Sequence, residues 1–145
     1  MSTVDLTFIG IAVTIVAIAI PLGMLVSGPL LKHWNQLAAI YPGGPLATHQ
    51  TVRFIQIMII RDSKNLLTVG PVRLAANDEY LGLSMSNSGN LDILLPRDAV
   101  MSCVGHNEGI FFLFASQEMM LRNWPNTICF RGRGARFVRR WWNKT

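Results

Sequence analysis

Charge is missing from the first part of this sequence: Asp5 is the only charged side chain before Lys32. At about 1.5 Å of rise per residue, an uncharged helix over Leu6–Val26 covers a hydrocarbon core of roughly 30 Å. Residues 1–31 are therefore expected to be an N-terminal tail and a transmembrane anchor. Met1–Asp5 also lacks Lys and Arg, and the apolar run exceeds the about 7–15 residues of a secretory core, which excludes a cleaved signal. No His, Asp, Glu, Lys or Arg lies in the expected span, which excludes a proton relay or His-ligated haem or pigment there.

Cysteine is scarce as well. Cys103 and Cys129 are the only two, too few for a disulfide scaffold, and neither they nor His33, His49 and His106 show zinc-ligand spacing. No metal and no cofactor is expected. A Gly-rich phosphate loop between a strand and a helix is absent too. Ser102 and Cys103 precede His106, a nucleophile and a base in outline. The stronger reading is a core cysteine, a small hydrophobe, beside a surface histidine.

All 13 Lys and Arg follow Leu31. The positive-inside bias then places the N-terminus outside and residues 32–145 in the cytoplasm, where both cysteines stay reduced. In the span, Gly10, Thr14, Ala17 and Pro21 recur at steps of four, three and four. They form a helix-packing face of small residues that permits close approach of another membrane helix.

Beyond the anchor, about 115 residues suffice for one domain with one core. Leu30, Trp34, Leu37, Ala38 and Tyr41 recur at helical spacing and end before Pro42-Gly43-Gly44-Pro45. Trp34 suits either a bilayer interface or a core contact. Thr51–Ile60, Leu66–Val69, Tyr80–Met85, Leu91–Leu95, Ala99–Gly105 and Ile110–Ala115 then read as strands separated by Gly, Pro, Asn and Asp turns. Met119–Leu121 and Thr127–Phe130 are weaker strand signals. Regular spacing of this kind predicts an antiparallel sheet curled into a small barrel or sandwich. A final amphipathic helix is expected to begin near Gly134.

Two stretches carry a resemblance. Trp34, Leu37, Ala38, Tyr41 and Pro42 match a Trp-x-x-Leu-Ala-x-x-Tyr/Phe-Pro opening. Leu94, Leu95, Pro96 and Val100 match a strand of the form LLIPWxeI, with Arg97 where that pattern has Trp. The chain in this respect resembles small bacterial membrane-anchored proteins with a pleckstrin-homology or GRAM-like (PH/GRAM-like) domain. The resemblance implies a single N-terminal transmembrane helix plus a small mainly-β (α+β) domain. That domain would be a bent barrel with a C-terminal helix, in a binding or scaffolding role. It implies no catalytic residues.

The charge pattern that exceeds background is C-terminal. Arg122, Arg131, Arg133, Arg136, Arg139, Arg140 and Lys144 are interleaved with Trp124, Phe130, Phe137, Trp141 and Trp142, and no acid intervenes. Three partners fit: anionic lipid headgroups, at about 1 kcal/mol per basic side chain; an acidic protein, since Arg and Trp favour interface hot spots; and, least well, nucleic acid. Arg131, Arg133, Arg136, Arg139, Arg140, Trp141 and Trp142 are the expected lipid- or partner-binding residues. The alternative has Phe137 and Trp141 closing the core beneath solvated arginines.

These readings converge on a non-enzymatic accessory subunit of a larger integral membrane complex, respiratory or photosynthetic in type, in the bacterial inner membrane. Its helix and basic domain would stabilise neighbouring membrane subunits. The alternative is a free-standing, membrane-tethered adaptor for anionic lipid or an acidic protein.

Overall fold

A computed structural model describes residues 31–47, 50–85, 90–107 and 115–144, and Met1–Lys32 and His33–Thr145 form two compact units. The second unit is the β domain. Residues 31–40 are helical (α1). Eight strands follow: β1 (Pro42–Gly44), β2 (Gln50–Arg61), β3 (Lys64–Ala76), β4 (Tyr80–Ser84), β5 (Leu91–Pro96), β6 (Val100–Asn107), β7 (Ala115–Leu121) and β8 (Thr127–Arg131). A 3-10 turn, Arg97–Ala99, joins β5 to β6, and helix α2 (Arg133–Trp142) ends the domain.

The strands form one antiparallel sheet in the order β1-β5-β4-β3-β2-β8-β7-β6. This corrects the expected bent barrel: the sheet is open, with β1 and β6 as its two edges. Closure needs a continuous hydrogen-bonded ring. One edge is only Pro42-Gly43-Gly44, and a proline there donates no ladder bond.

The long hairpin β2–β3 bends through paired bulges. Val52 faces Leu74 and Ile55 faces Val72, so Arg53 and Phe54 together oppose Arg73. Ile57 then faces Val69, so Gln56 opposes Gly70 and Pro71. One extra residue on each strand restores the register, and each bulge sharpens the local twist. Ile55, Ile57 and Ile59 consequently point into a core shared with Leu74, Leu81, Ile93, Met119 and Phe130.

The membrane expectations are corrected here. The span at Leu6–Val26, with Gly10, Thr14, Ala17 and Pro21, lies outside the described residues, and among the described residues no helix is long and apolar enough to cross a membrane. The helix that is described, α1, is amphipathic: Trp34 and Leu37 are buried while Lys32, Asn35 and Gln36 are exposed. This is the short amphipathic segment expected at Leu30–Tyr41. The single-pass, N-out, inner-membrane assignment is thus without support, and the residues that can be described make a β domain. Trp34 resolves to a core contact, 3% exposed.

Candidate anion-binding groove

Helix α2 owes its position to two glycines. Gly132 at its N-cap has φ 55° and ψ −119°, a backbone conformation that L side chains avoid. There its N–H donates to the Ala115 carbonyl at 2.9 Å while its own carbonyl accepts from Arg136 N–H at 3.2 Å. At Gly134 a Cβ would stand 2.5 Å from Ile55 Cγ2, so the first turn of α2 lies directly on β2. Below it, Gly134, Ala135, Phe137, Val138 and Trp141 are buried, the one-sided stripe that holds an amphipathic helix on a core.

The opposite side carries Arg133, Arg136, Arg139 and Arg140, all exposed. Together with Phe137 they form one wall of an open groove of about 940 Å³, whose other wall is Gln50, Thr51 and Val52 at the start of β2. Arg140 Nε reaches the Arg136 carbonyl only at 3.4 Å. Among the described residues no carboxylate pairs with any of the four; a contact between imidazole and carboxylate joins His106 to Glu118, 3.7 Å apart on an exposed surface. Helix electrostatics do not explain the pattern either. Cations suit a helix C-terminus, where Arg139 and Arg140 lie, and oppose the dipole at the N-terminus, where Arg133 lies.

The remaining predicted residues separate into two kinds. Arg131 is exposed at the end of β8, opposite Ser116. Trp141 is buried: Nε1 donates to the Asn77 carbonyl at 2.8 Å, and Arg97 lies over its ring at 4.8 Å. Trp142 is half-buried against the core, its ring centroid 6.3 Å from that of Trp141. The geometry therefore divides the basic and aromatic residues by role, with arginines lining the groove and Trp141 fixing the helix that carries them. Sequence reading missed Gln50, Thr51 and Val52, whose place in the groove depends on a contact between distant segments.

The Ser102, Cys103 and His106 combination falls apart in three dimensions. Cys103 packs against the core and accepts a hydrogen bond from Gln117 Nε2 at 3.2 Å. His106, three residues on in the same strand, pairs with Glu118. An odd separation puts the two on opposite sheet faces. Burial pushes the Cys103 thiol above its ordinary value, partly offset by the Gln117 hydrogen bond, whereas an activated nucleophile needs its pKa lowered. Cys103 and Cys129 are both free thiols on strands separated by β7. That spacing of roughly 9–10 Å is beyond disulfide reach. Among the described residues no group of three or more His, Cys, Asp or Glu could hold a metal ion.

Comparison with known proteins finds no matching family model and no matching curated protein. Among solved structures, the chain is similar to the crystal structure of the C-terminal domain of an unknown protein from Leishmania infantum. The identity is 11% and the TM-score 0.41, over 82% of this chain and 99% of that one.

Proposed function

We propose that this protein is a non-enzymatic accessory module of a larger protein assembly, and that its β domain holds an acidic segment of a protein partner in the groove between α2 and β2. The observation that carries this reading is the set of exposed guanidinium groups of Arg133, Arg136, Arg139 and Arg140 lining one groove with no carboxylate partner among the described residues. Guanidinium forks are suited to paired hydrogen bonds with carboxylates. The wall opposite is polar but uncharged at Gln50 and Thr51, so it adds hydrogen-bonding capacity without repelling an anion. Among the anions that fit a basic groove, a protein segment is favoured because arginine is a preferred anchor at protein interfaces.

The test is binding of a short glutamate-rich peptide to the full chain, followed by fluorescence anisotropy across a salt series. Binding should weaken steeply with salt, because exposed charges are screened beyond about 10 Å at 0.1 M. It should be lost in the variant with Arg133, Arg136, Arg139 and Arg140 all changed to Gln. Equal peptide binding by that variant and the parent would eliminate the proposal.

A further inference from the structure

The two edges of the sheet differ in kind. One is β1, Pro42-Gly43-Gly44, short and closed by a proline, as protected edges are. The other is β6, whose eight residues, Val100–Asn107, include no Lys, Arg, Asp, Glu or Pro. Its register against β7 slips at Met101 and then runs unbroken from Ser102 to Asn107. Along that run every second residue turns its N–H and C=O away from β7, and among the described residues no strand pairs with them. Natural sheets blunt an exposed edge with lysine, proline or an inward-pointing charge, and β6 has none of these.

The two faces beside this edge offer different chemistry. Met119 and Gln117 are buried, so Cys103 and Gly105, which lie opposite them, belong to the inner face. There Cys103, Gly105 and Gln117 line a hollow of about 250 Å³ together with Arg139 and Asn143 of α2. Gly105 is exposed and adds no side chain to fill it, and Arg139 is the cation of its lining. Ser102 and Val104 alternate with these residues and belong to the outer face. Val104 is 50% exposed there, and Met120, opposite Ser102, is 49% exposed. A strand laid along β6 therefore meets apolar side chains with one set of its alternate residues and Arg139 with the other.

We propose that β6 takes up an extended segment of a partner protein as a further strand of the sheet, with apolar side chains on the outer face alternating with carboxylates on the inner face. Main-chain hydrogen bonds give such strand addition its affinity, and the alternate side chains give it specificity. Charge complementarity decides the occupant. Two β6 strands paired with each other bring no carboxylate to Arg139, because β6 contains none, whereas a segment with acids at alternate positions does. The edge is a second surface and does not depend on the groove between α2 and β2, although Arg139 borders both.

The experiment uses the full chain and a short fluorescein-labelled peptide in which Val and Glu alternate, followed by anisotropy. Methylating every second amide of the peptide should abolish binding in one frame, where the donors facing β6 are lost, and spare it in the other. Val104→Lys, a charge of the kind that blocks edges, should abolish binding at an unchanged melting temperature, while Val104→Thr, which keeps the branched β-carbon, should retain it. Arg139→Gln should weaken it about two- to five-fold, the range of an exposed ion pair. Changing Arg133, Arg136 and Arg140 to Gln, which depletes the groove and keeps Arg139, should leave it as in the parent. Equal binding by the two methylated peptides, binding that survives Val104→Lys, or no binding of the alternating peptide overturns the added strand. The groove is judged separately, by the glutamate-rich peptide, which Val104→Lys should still bind. A dimer of the parent that Val104→Lys dissociates overturns the choice of partner and assigns the edge to a second copy of this chain.

Discussion

Arg97 and Trp141 tie the C-terminal helix to the corner between β5 and β6. The guanidinium carbon of Arg97 lies 4.8 Å from the Trp141 ring centroid, and its Nη2 donates to the Trp141 carbonyl. One side chain thus covers the ring and satisfies a carbonyl of the helix's last turn, which has no partner within the helix. The indole in turn reaches back to Asn77, 64 residues away in the chain.

Removing either partner should loosen α2. Trp141→Ala is expected to cost about 3–5 kcal/mol through lost burial. Arg97→Ala should cost about 1–3 kcal/mol, combining a stacked cation with a hydrogen bond to a carbonyl. Because both act on one contact, the double variant should fall short of the sum. Urea unfolding of the four proteins measures this, and strict additivity would show that the contact contributes nothing.

The closeness of Gly134 to Ile55 gives a second stability prediction. Gly134→Ala places a methyl 2.5 Å from Ile55 Cγ2, and overpacking of this kind costs about 1–3 kcal/mol. Ile55→Ala alone should also destabilise, since Ile55 is buried. Combined, the two changes should be milder than their sum, because the second removes the atom that the first collides with. Ile55→Val trims a different carbon and should give no such relief.

How far the sequence reveals this molecule depends on the range of the signal. Turn residues announced Tyr80–Ser84 and Leu91–Pro96, because Asn77 and Asp78 before one and Pro96 at the end of the other act locally. The stripe Ala135, Val138 and Trp142 announced α2 by its period alone. The open sheet was not legible, since whether β1 meets β6 is decided by edge geometry rather than by any strand's pattern. An uncharged run such as Leu6–Val26 satisfies the composition of a membrane span without showing what the chain does with it. The arginines of the site were visible as a cluster. Their facing wall was not, because Gln50–Val52 and Arg133–Arg140 are brought together by the β2 to β8 pairing and the seat of Gly134 on Ile55, both contacts between distant segments.

The Cys103 thiol provides a chemical check on the interior of the sheet. Burial raises its pKa from the ordinary value of 9.0, so the folded protein holds the proton more tightly than the unfolded chain. Its contribution to stability is therefore intact below about pH 9 and declines as pH rises further. Alkylation by iodoacetamide at pH 8 should be slower than for a free thiol. Gln117→Leu should slow it again, because the hydrogen bond from Gln117 is what partly lowers the pKa. Mass-spectrometric time courses give both rates, and a Cys103 that reacts at the rate of an exposed thiol would contradict its half-buried placement against the core.

The four arginines of α2 differ in what the helix itself gains from them, and this separates binding from stability. Arg139 and Arg140 lie in the last turn, where a cation complements the helix dipole by about 0.3–1 kcal/mol. Arg133 opens the first turn, where no acid is present, and there the same interaction is unfavourable by a similar amount. Replacing Arg133 by Gln should therefore leave the melting temperature unchanged or raise it slightly. The same change at Arg139 and Arg140 should lower it. Binding of the glutamate-rich peptide should weaken in both cases, because all three line the groove. If Arg133→Gln stabilises the fold without weakening the peptide, the first-turn arginine has no role in the groove, and the binding surface contracts to the second half of α2. If it stabilises the fold and weakens binding together, Arg133 is held at that position by function against the preference of its own helix.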